Sequence, residues 1–126
     1  MPKHILIVDD EPSFRFSAGI ALRQAGYITS EAEDGSEALG MIGDRNNSGP
    51  QFDAIVLDIQ MPKMTGLDLI DAARSQGIDM PPVIVISGYA DDTVIAELRG
   101  KNYAALLHKP FASETIVSLV TRLVSQ

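Results

Sequence analysis

The 126-residue chain contains no cysteine and no tryptophan. The lack of cysteine excludes a secreted scaffold held by disulfides and a zinc finger built on thiolates. A chain of this length buries roughly two thirds of the surface that it exposes when unfolded, so it can fold around its own core without a disulfide or a structural metal. We therefore expect a single domain over residues 1–126.

Long apolar runs and clusters of basic residues are also absent. The longest apolar runs, residues 81–86 and 103–107, are far shorter than the roughly 20 residues that span a bilayer. Residues 1–4 lead straight into a strand-like run without the apolar segment of a signal peptide, so we expect a cytoplasmic protein with no membrane contact. Seventeen acidic and ten basic residues give a net charge of -7, which offers no electrostatic footprint for direct nucleic-acid binding.

What the chain does contain is a regular alternation of apolar strand-like segments with amphipathic helical ones. The predicted strands are residues 4–8, 27–32, 52–57, 82–86 and 104–107. The predicted helices are residues 12–25, 37–42, 66–76, 91–100 and 112–124, with an exposed loop over 43–51. Strands that are apolar throughout are typical of parallel sheets covered on both faces. The alternation predicts an α/β fold, a doubly wound five-stranded parallel sheet with five helices, of flavodoxin-like strand order 2-1-3-4-5.

Polar residues follow the predicted strands where each one ends. The residues are Asp9 and Asp10 after the first strand, Asp58 after the third, Ser87 after the fourth and Lys109 after the fifth. Because ligands of such sheets bind outside the carboxyl ends of the strands, we expect these side chains to converge. Carboxylate oxygens suit Mg²⁺, while a hydroxyl and an ammonium suit a phosphoryl group, with Asp58 as the nucleophile that forms an acyl phosphate.

Each of these features has a simpler interpretation when taken alone. An Asp-Asp pair at a strand end is more often a helix cap with a solvated neighbour, and a Lys-Pro pair is usually a turn. The placement of five suitable residues at the ends of four strands favours phosphoryl chemistry.

Five stretches of the chain carry specific motifs: Ile7-Val8-Asp9-Asp10-Glu11; Ala32-Glu33-Asp34-Gly35 with Glu37-Ala38-Leu39; Val56-Leu57-Asp58 with Met61-Pro62-Lys63-Met64-Thr65-Gly66; Ile86-Ser87-Gly88; and Lys109-Pro110-Phe111. By these motifs the sequence resembles the receiver domains of two-component response regulators, and the resemblance covers the whole chain. The resemblance implies a phosphorelay signalling module, one receiver domain over residues 1–126, that is a phosphoprotein rather than an enzyme with its own substrate. Its implied phosphate source is a histidine kinase or a phosphotransfer protein.

The resemblance also implies a role for each site residue. Asp58 would be the phosphoacceptor, and Mg²⁺ would be held by Asp9, Asp10, Asp58 and the main-chain carbonyl of Gln60. Ser87 would contact the phosphoryl group and act in the switch, Lys109 would pair with that group, and the Lys109–Pro110 bond would be cis. Access to the phosphoryl group would depend on Gln60, Gly88 and Tyr89.

One position departs from the family pattern. Receiver domains usually carry an aromatic residue three positions before the lysine, and this chain has Leu106 there. A leucine has no hydroxyl to exchange and few distinct states, so a switch formed by Ser87 and Leu106 would have to work without the aromatic rotation that is usual in the family. The phosphorylation chemistry is unaffected by this change.

Two other function classes compare less well with the residues. A phosphatase of the haloacid-dehalogenase type also uses an Asp nucleophile with Mg²⁺, but it needs a second Asp two residues later as general acid, where this chain has Gln60. A degenerate receiver that binds partners without phosphorylation is disfavoured by the complete set of site residues.

Two surfaces are candidates for partners. Phe14 and Phe16 cannot both face the sheet because they lie two residues apart on a helix. The outward ring is either an isolated exposed aromatic or, as the resemblance implies, a docking contact for the phosphate donor. The last predicted helix is apolar over a wide arc, which indicates either deep burial or, as the resemblance implies, a homodimer or output-partner face formed with residues 91–100.

Overall fold

The computed structural model describes residues 2–59, 66–87, 105–108 and 111–125. Its strands are β1 (His4–Val8), β2 (Ile28–Ala32), β3 (Ala54–Asp58), β4 (Val83–Ser87) and β5 (Ala105–His108). Its helices are α1 (Pro12–Gln24), α2 (Gly35–Ser48), α3 (Gly66–Ser75) and α4 (Ser113–Val124). The helix predicted over residues 91–100 and the Lys109–Pro110 bond lie outside the described residues.

The five strands form one parallel sheet in the order β2-β1-β3-β4-β5, which confirms the predicted flavodoxin-like topology. In register, Val8 at the end of β1 lies opposite Ala32 of β2 and Leu57 of β3. Asp58 at the end of β3 lies opposite Ile86 of β4. The carboxyl ends of these strands therefore meet at the same edge of the sheet.

Hydrophobic side chains pack on both faces of the sheet, as the apolar strands predict. The α2–α3 core contains alternate strand residues such as Leu6 and Val8, with side chains from α2 and α3. The α1–α4 core contains the intervening residues such as Ile5 and Ile7, with side chains from α1 and α4. Strands β3 and β4 are buried along their whole length, whereas β2 is largely exposed or half-buried because it forms an edge of the sheet.

The ends of the helices follow local sequence signals. Pro12 lies in the first turn of α1, and the carboxylate of Asp34 caps α2 by accepting the Glu37 N–H at 2.8 Å. Gly26 (φ 99°) and Gly77 (φ 70°) follow α1 and α3 in the left-handed conformation that glycine adopts without strain. In the described part of the chain, no helix has the length and apolar character needed to cross a membrane.

The prediction of a loop from residue 43 onwards is wrong, because α2 continues to Ser48. Glycine and asparagine give residues 43–48 a low helix propensity, but tertiary contacts stabilise the helix there. The Arg45 guanidinium donates to the Pro50 carbonyl at 3.1 Å and stacks over the Phe52 ring at 4.3 Å. The Gln51 amide donates to the Ile42 carbonyl at 3.1 Å, which ties the following segment back to the helix.

Candidate functional site

The end of β1 brings a buried carboxylate to the edge of the sheet. The Asp9 side chain is fully buried, and its main-chain N–H donates to the Ala32 carbonyl at 3.2 Å, so β1 and β2 stay paired up to this residue. One Asp9 carboxylate oxygen accepts the Glu11 N–H at 2.9 Å, which shapes the turn into α1. The neighbouring Asp10 side chain is exposed.

Three carboxylates meet where β1 and β3 end. One carboxylate oxygen from each of Asp9, Asp10 and Asp58 lies within 4.8 Å of the others. Octahedral Mg²⁺ binds oxygens at about 2.1 Å, so its ligands are about 3.0 to 4.2 Å apart, which a small side-chain rotation or a bridging water reaches from this spacing. The donor set contains oxygen only and carries excess negative charge, both of which suit Mg²⁺. These residues therefore fit a magnesium ion.

Asp58 is held at the end of β3 by a close approach of helix α3. The Asp58 side chain is 4% exposed. A Cβ added at Gly66 would lie 2.8 Å from both the Asp58 carbonyl oxygen and the Ile59 Cα, so only glycine fits at the start of α3. The Gly66 N–H points to the Ile59 carbonyl at 3.4 Å. The main chain on either side of Asp58 is thus packed against the helix that follows it.

Ser87 and Leu106 lie on the neighbouring strands. Ser87 is the last residue of β4 and is fully buried, one position beyond Ile86, which pairs with Asp58. Leu106 pairs with Val85, is half-buried, and packs against the α2–α3 core. The structure thus places Ser87 at the same edge as the three carboxylates and Leu106 on the adjoining strand.

Four predicted site residues lie outside the described residues: Gln60, Gly88, Tyr89 and Lys109. Among the predicted residues that are described, the structure brings Asp9, Asp10 and Asp58 together and places Ser87 on the adjacent strand.

The sequence interpretation overlooked an ion pair beside the carboxylates. The Arg15 Nη1 donates to the Asp9 main-chain carbonyl at 2.5 Å, and its Nε donates to the Glu31 carboxylate at 3.1 Å. The two residues are 16 positions apart in the chain, and neither matches a quoted motif. Their only sequence signal is opposite charge on a predicted helix and on a predicted neighbouring strand.

The two phenylalanines of α1 are divided as helical geometry requires. Phe14 packs against the α1–α4 core and meets the Phe111 ring edge to face at 6.1 Å between centroids. Phe16 is 64% exposed and lines an open groove of about 520 Å³ between α1 and α4, together with Ile20 and Val117.

Helix α4 leaves less free apolar surface than its composition suggests. Ile116 and Val120 are buried. The half-buried residues packed against the α1–α4 core are Val117, Leu119, Leu123 and Val124. A homodimer or output-partner face formed with residues 91–100 stays a prediction, because those residues lie outside the described chain.

Comparison with known proteins gives one consistent result. A family model described as the response regulator receiver domain matches residues 5–121. The response regulator MprA of Mycobacterium sp. (strain KMS) is 38% identical over 126 residues, covering 98% of this chain and 51% of the relative. The chain thus spans about half the length of the curated relatives that it matches.

Solved structures agree in fold along the whole chain. The chemotaxis protein CheY4 of Vibrio cholerae superposes with a TM-score of 0.84 at 30% identity, covering 98% of this chain and 99% of that one. A CheY-like receiver domain protein from Methanospirillum hungatei JF-1 superposes with a TM-score of 0.85 at 25% identity, covering 99% and 95%.

Proposed function

Since the chain belongs to the response regulator receiver domains of two-component systems, we propose that Asp58 is the residue that accepts the phosphoryl group. The observation that carries this proposal is the meeting of the Asp9, Asp10 and Asp58 carboxylates within 4.8 Å at the carboxyl edge of the sheet. We propose that Mg²⁺ is held there by Asp9, Asp10, Asp58 and the Gln60 carbonyl. When bound, Mg²⁺ neutralises charge on the phosphoryl oxygens and the carboxylates that face them.

Within this proposal, the chain's own residues supply position and charge. An Asp58 carboxylate oxygen forms a bond to phosphorus while the phosphorus–nitrogen bond of a phosphohistidine breaks, and the imidazole leaves with the electron pair and takes up a proton. The packing of Gly66 against the Asp58 carbonyl holds the main chain from which that carboxylate extends. We propose that Ser87, at the end of β4, donates a hydrogen bond to the transferred group and that Lys109 pairs with that group.

The proposal is tested with acetyl phosphate as the donor. We expect mass spectrometry to find one added phosphoryl group in the wild-type chain with Mg²⁺, and none in EDTA, because the donor carries negative charge toward three carboxylates. Asp58→Asn should not be labelled under either condition. The matched control is Asp44→Asn, which removes an exposed carboxylate on α2 and should be labelled like the wild type.

The assignment is wrong if Asp58→Asn is labelled as fully as the wild type, or if EDTA leaves labelling unchanged. Peptide mapping of the labelled chain identifies the modified residue in either case.

We also propose that the chain acts in the cytoplasm and turns over no separate phosphate ester. Gln60 stands two residues after Asp58, where a phosphatase of the dehalogenase type needs an acid to protonate the leaving group. Phosphorylation and dephosphorylation of Asp58 are then its only chemistry.

We propose that the phosphate donor docks on the groove between α1 and α4. In the family that the chain resembles, helix α1 receives the histidine kinase or phosphotransfer domain. A groove that combines an exposed aromatic and aliphatic residues with polar ones such as Ser17 and Glu114 suits an amphipathic helix. Phe16 supplies that aromatic, with Ile20 and Val117 lining the groove below it.

Phe16→Ala should slow transfer from a phosphohistidine donor by about tenfold, the loss typical of a buried aromatic anchor in an interface. Purified histidine kinase domains are first screened for transfer to the wild-type chain, and the fastest becomes the donor. Labelling by acetyl phosphate should stay unchanged, because this small donor makes no contact with the groove.

The matched control is Ile28→Ala, which removes the other large exposed hydrophobic residue of the described chain, 47% exposed on the β2 edge. Equal kinase rates for Phe16→Ala and Ile28→Ala would show that the groove is not the docking surface.

A further inference from the structure

The Asp9 main chain is held by a side chain that reaches it from helix α1. The Arg15 guanidinium donates from Nη1 to the Asp9 carbonyl and from Nε to the Glu31 carboxylate, at 2.5 and 3.1 Å. It therefore connects three elements: the turn after β1, the first turns of α1, and the edge strand β2. The Arg15 side chain is 13% exposed, so most of it lies against the protein.

The same short turn carries two of the three carboxylates. Asp9 donates its N–H to Ala32 and accepts the Glu11 N–H on its carboxylate, while Arg15 binds its carbonyl. The peptide that begins with this carbonyl ends at the N–H of Asp10. Rotation of that peptide would therefore move the Asp10 carboxylate relative to that of Asp9.

We propose that Arg15 is a positioning residue for the cation site: by fixing the Asp9–Asp10 peptide against β2 through Glu31, it sets the spacing of the carboxylates and thereby the affinity for Mg²⁺. This inference rests on the proposed function of those carboxylates. In this proposal Arg15 acts only through the main chain of Asp9 and is assigned no contact with the phosphoryl group or the metal.

The charge of Arg15 and its positioning role predict opposite effects on Mg²⁺ affinity when Arg15 is removed. A guanidinium beside three carboxylates repels a cation, so its removal would strengthen Mg²⁺ binding if charge alone mattered. If Arg15 positions the turn, its removal weakens binding instead. Loss of an outer partner of a metal ligand typically lowers metal affinity by 10- to 100-fold, and for this indirect contact we expect the lower end, about tenfold.

The experiment titrates MgCl₂ alone into the wild type, Arg15→Ala and Arg15→Lys by isothermal calorimetry. Arg15→Ala should bind Mg²⁺ about tenfold more weakly than the wild type. Arg15→Lys keeps the charge, but its ammonium cannot replace the planar guanidinium that reaches both partners. It should therefore lose Mg²⁺ affinity, though less than Arg15→Ala does, whereas charge alone predicts no loss. Labelling of Asp58 by acetyl phosphate should recover in both variants at saturating Mg²⁺.

The matched control is Arg23→Ala. Arg23 lies on α1's last turn and donates to the Thr29 hydroxyl on β2 at 2.9 Å, so it links the same helix and strand away from the carboxylates. Its Mg²⁺ affinity should equal that of the wild type. Thermal unfolding followed by circular dichroism verifies that each variant is folded at the titration temperature. If Arg15→Ala is not folded there, the Mg²⁺ affinity of Arg15→Lys tests the proposal.

The titration distinguishes failure of the proposed Mg²⁺ site from failure of the positioning role of Arg15. If the wild type takes up no Mg²⁺, the proposed site itself is wrong. If the wild type binds Mg²⁺ and the Arg15 variants bind it equally well or more tightly, the carboxylates stand and the positioning role of Arg15 is overturned.

Discussion

At the scale of single residues, His4 shows how the fold keeps a histidine neutral. It is the first residue of β1, at the opposite end of the strand from Asp9 and Asp10. Its Nε2 bonds to the Ser30 hydroxyl at 2.7 Å, and its Nδ1 faces the Arg45 guanidinium at 3.3 Å. Because a guanidinium only donates, Nδ1 accepts and the neutral ring carries its hydrogen on Nε2. Burial, and then the Arg45 charge, hold the pKa of His4 below its ordinary 6.5, while Asp53 opposes them.

This lowered pKa predicts how stability depends on pH. Between the folded pKa and 6.5 the unfolded chain binds more protons than the folded one, so the free energy of unfolding should fall as the pH drops below about 6.5. His4→Gln, which does not titrate, should lose less stability than the wild type between about pH 7.5 and about pH 5.5. Urea unfolding at both pH values measures this.

The control for the His4 variant is His108→Gln, which removes the other histidine. An identical pH dependence in the wild type and His4→Gln would mean that other groups carry the effect.

At the scale of elements, the start of α3 depends on a glycine that approaches the main chain of β3 at Asp58. The hypothetical Cβ of Gly66 meets main-chain atoms of Asp58 and Ile59 at 2.8 Å, and main chain cannot move aside as a flexible side chain does. The main-chain position of Asp58 therefore depends on how closely the first residue of α3 packs against it.

Gly66→Ala should destabilise the chain by about 1–3 kcal/mol, the range for overpacking a buried position. It should also slow labelling of Asp58 by acetyl phosphate. The matched control is Gly40→Ala on the exposed face of α2, where the added methyl group meets no atom within 4 Å apart from its chain neighbours and the helix's own backbone. That change should stabilise the chain by about 0.5–1 kcal/mol, because alanine loses less entropy in a helix. Urea unfolding distinguishes the two, and equal stabilities would contradict the close approach at Gly66.

At the scale of the whole molecule, one sheet shares its strands between two hydrophobic cores. Each central strand sends alternate side chains into the α1–α4 core and the α2–α3 core, so neither core can come apart while the other keeps its strands aligned. We therefore expect the described helices and strands to unfold together.

Leu22→Ala in the α1–α4 core and Leu69→Ala in the α2–α3 core should each lower the free energy of unfolding by about 2–5 kcal/mol, because both side chains are fully buried. Both variants should keep a single transition whose midpoint is the same by circular dichroism and by tyrosine fluorescence. Separate midpoints for the two signals would show that the cores unfold independently.

Most of the fold could be predicted from the sequence because the signals were local. Strand segments apolar throughout indicate burial on both faces, Gly26 and Gly77 mark helix ends, and the alternation of strand and helix leaves few right-handed topologies. The same rule predicts that Asp9, Asp10 and Asp58 meet at one edge, since parallel strands end together. The extent of α2 was missed because its last turn depends on Arg45 contacting Phe52 and Pro50, which no local pattern contains.

What the sequence by itself determined is the order of the elements and the types of side chain that follow each strand, because both depend on neighbours a few residues apart. Only the tertiary structure decided which distant groups support the site. Arg15 meets Asp9 and Glu31 across three elements, and Gly66 meets the main chain at Asp58. The pairing of Arg15 and Glu31 depends on how α1 is positioned against β2. The need for glycine at position 66 depends on how closely α3 packs on β3. Both are properties of packing in three dimensions, which residue type and spacing along the chain do not specify.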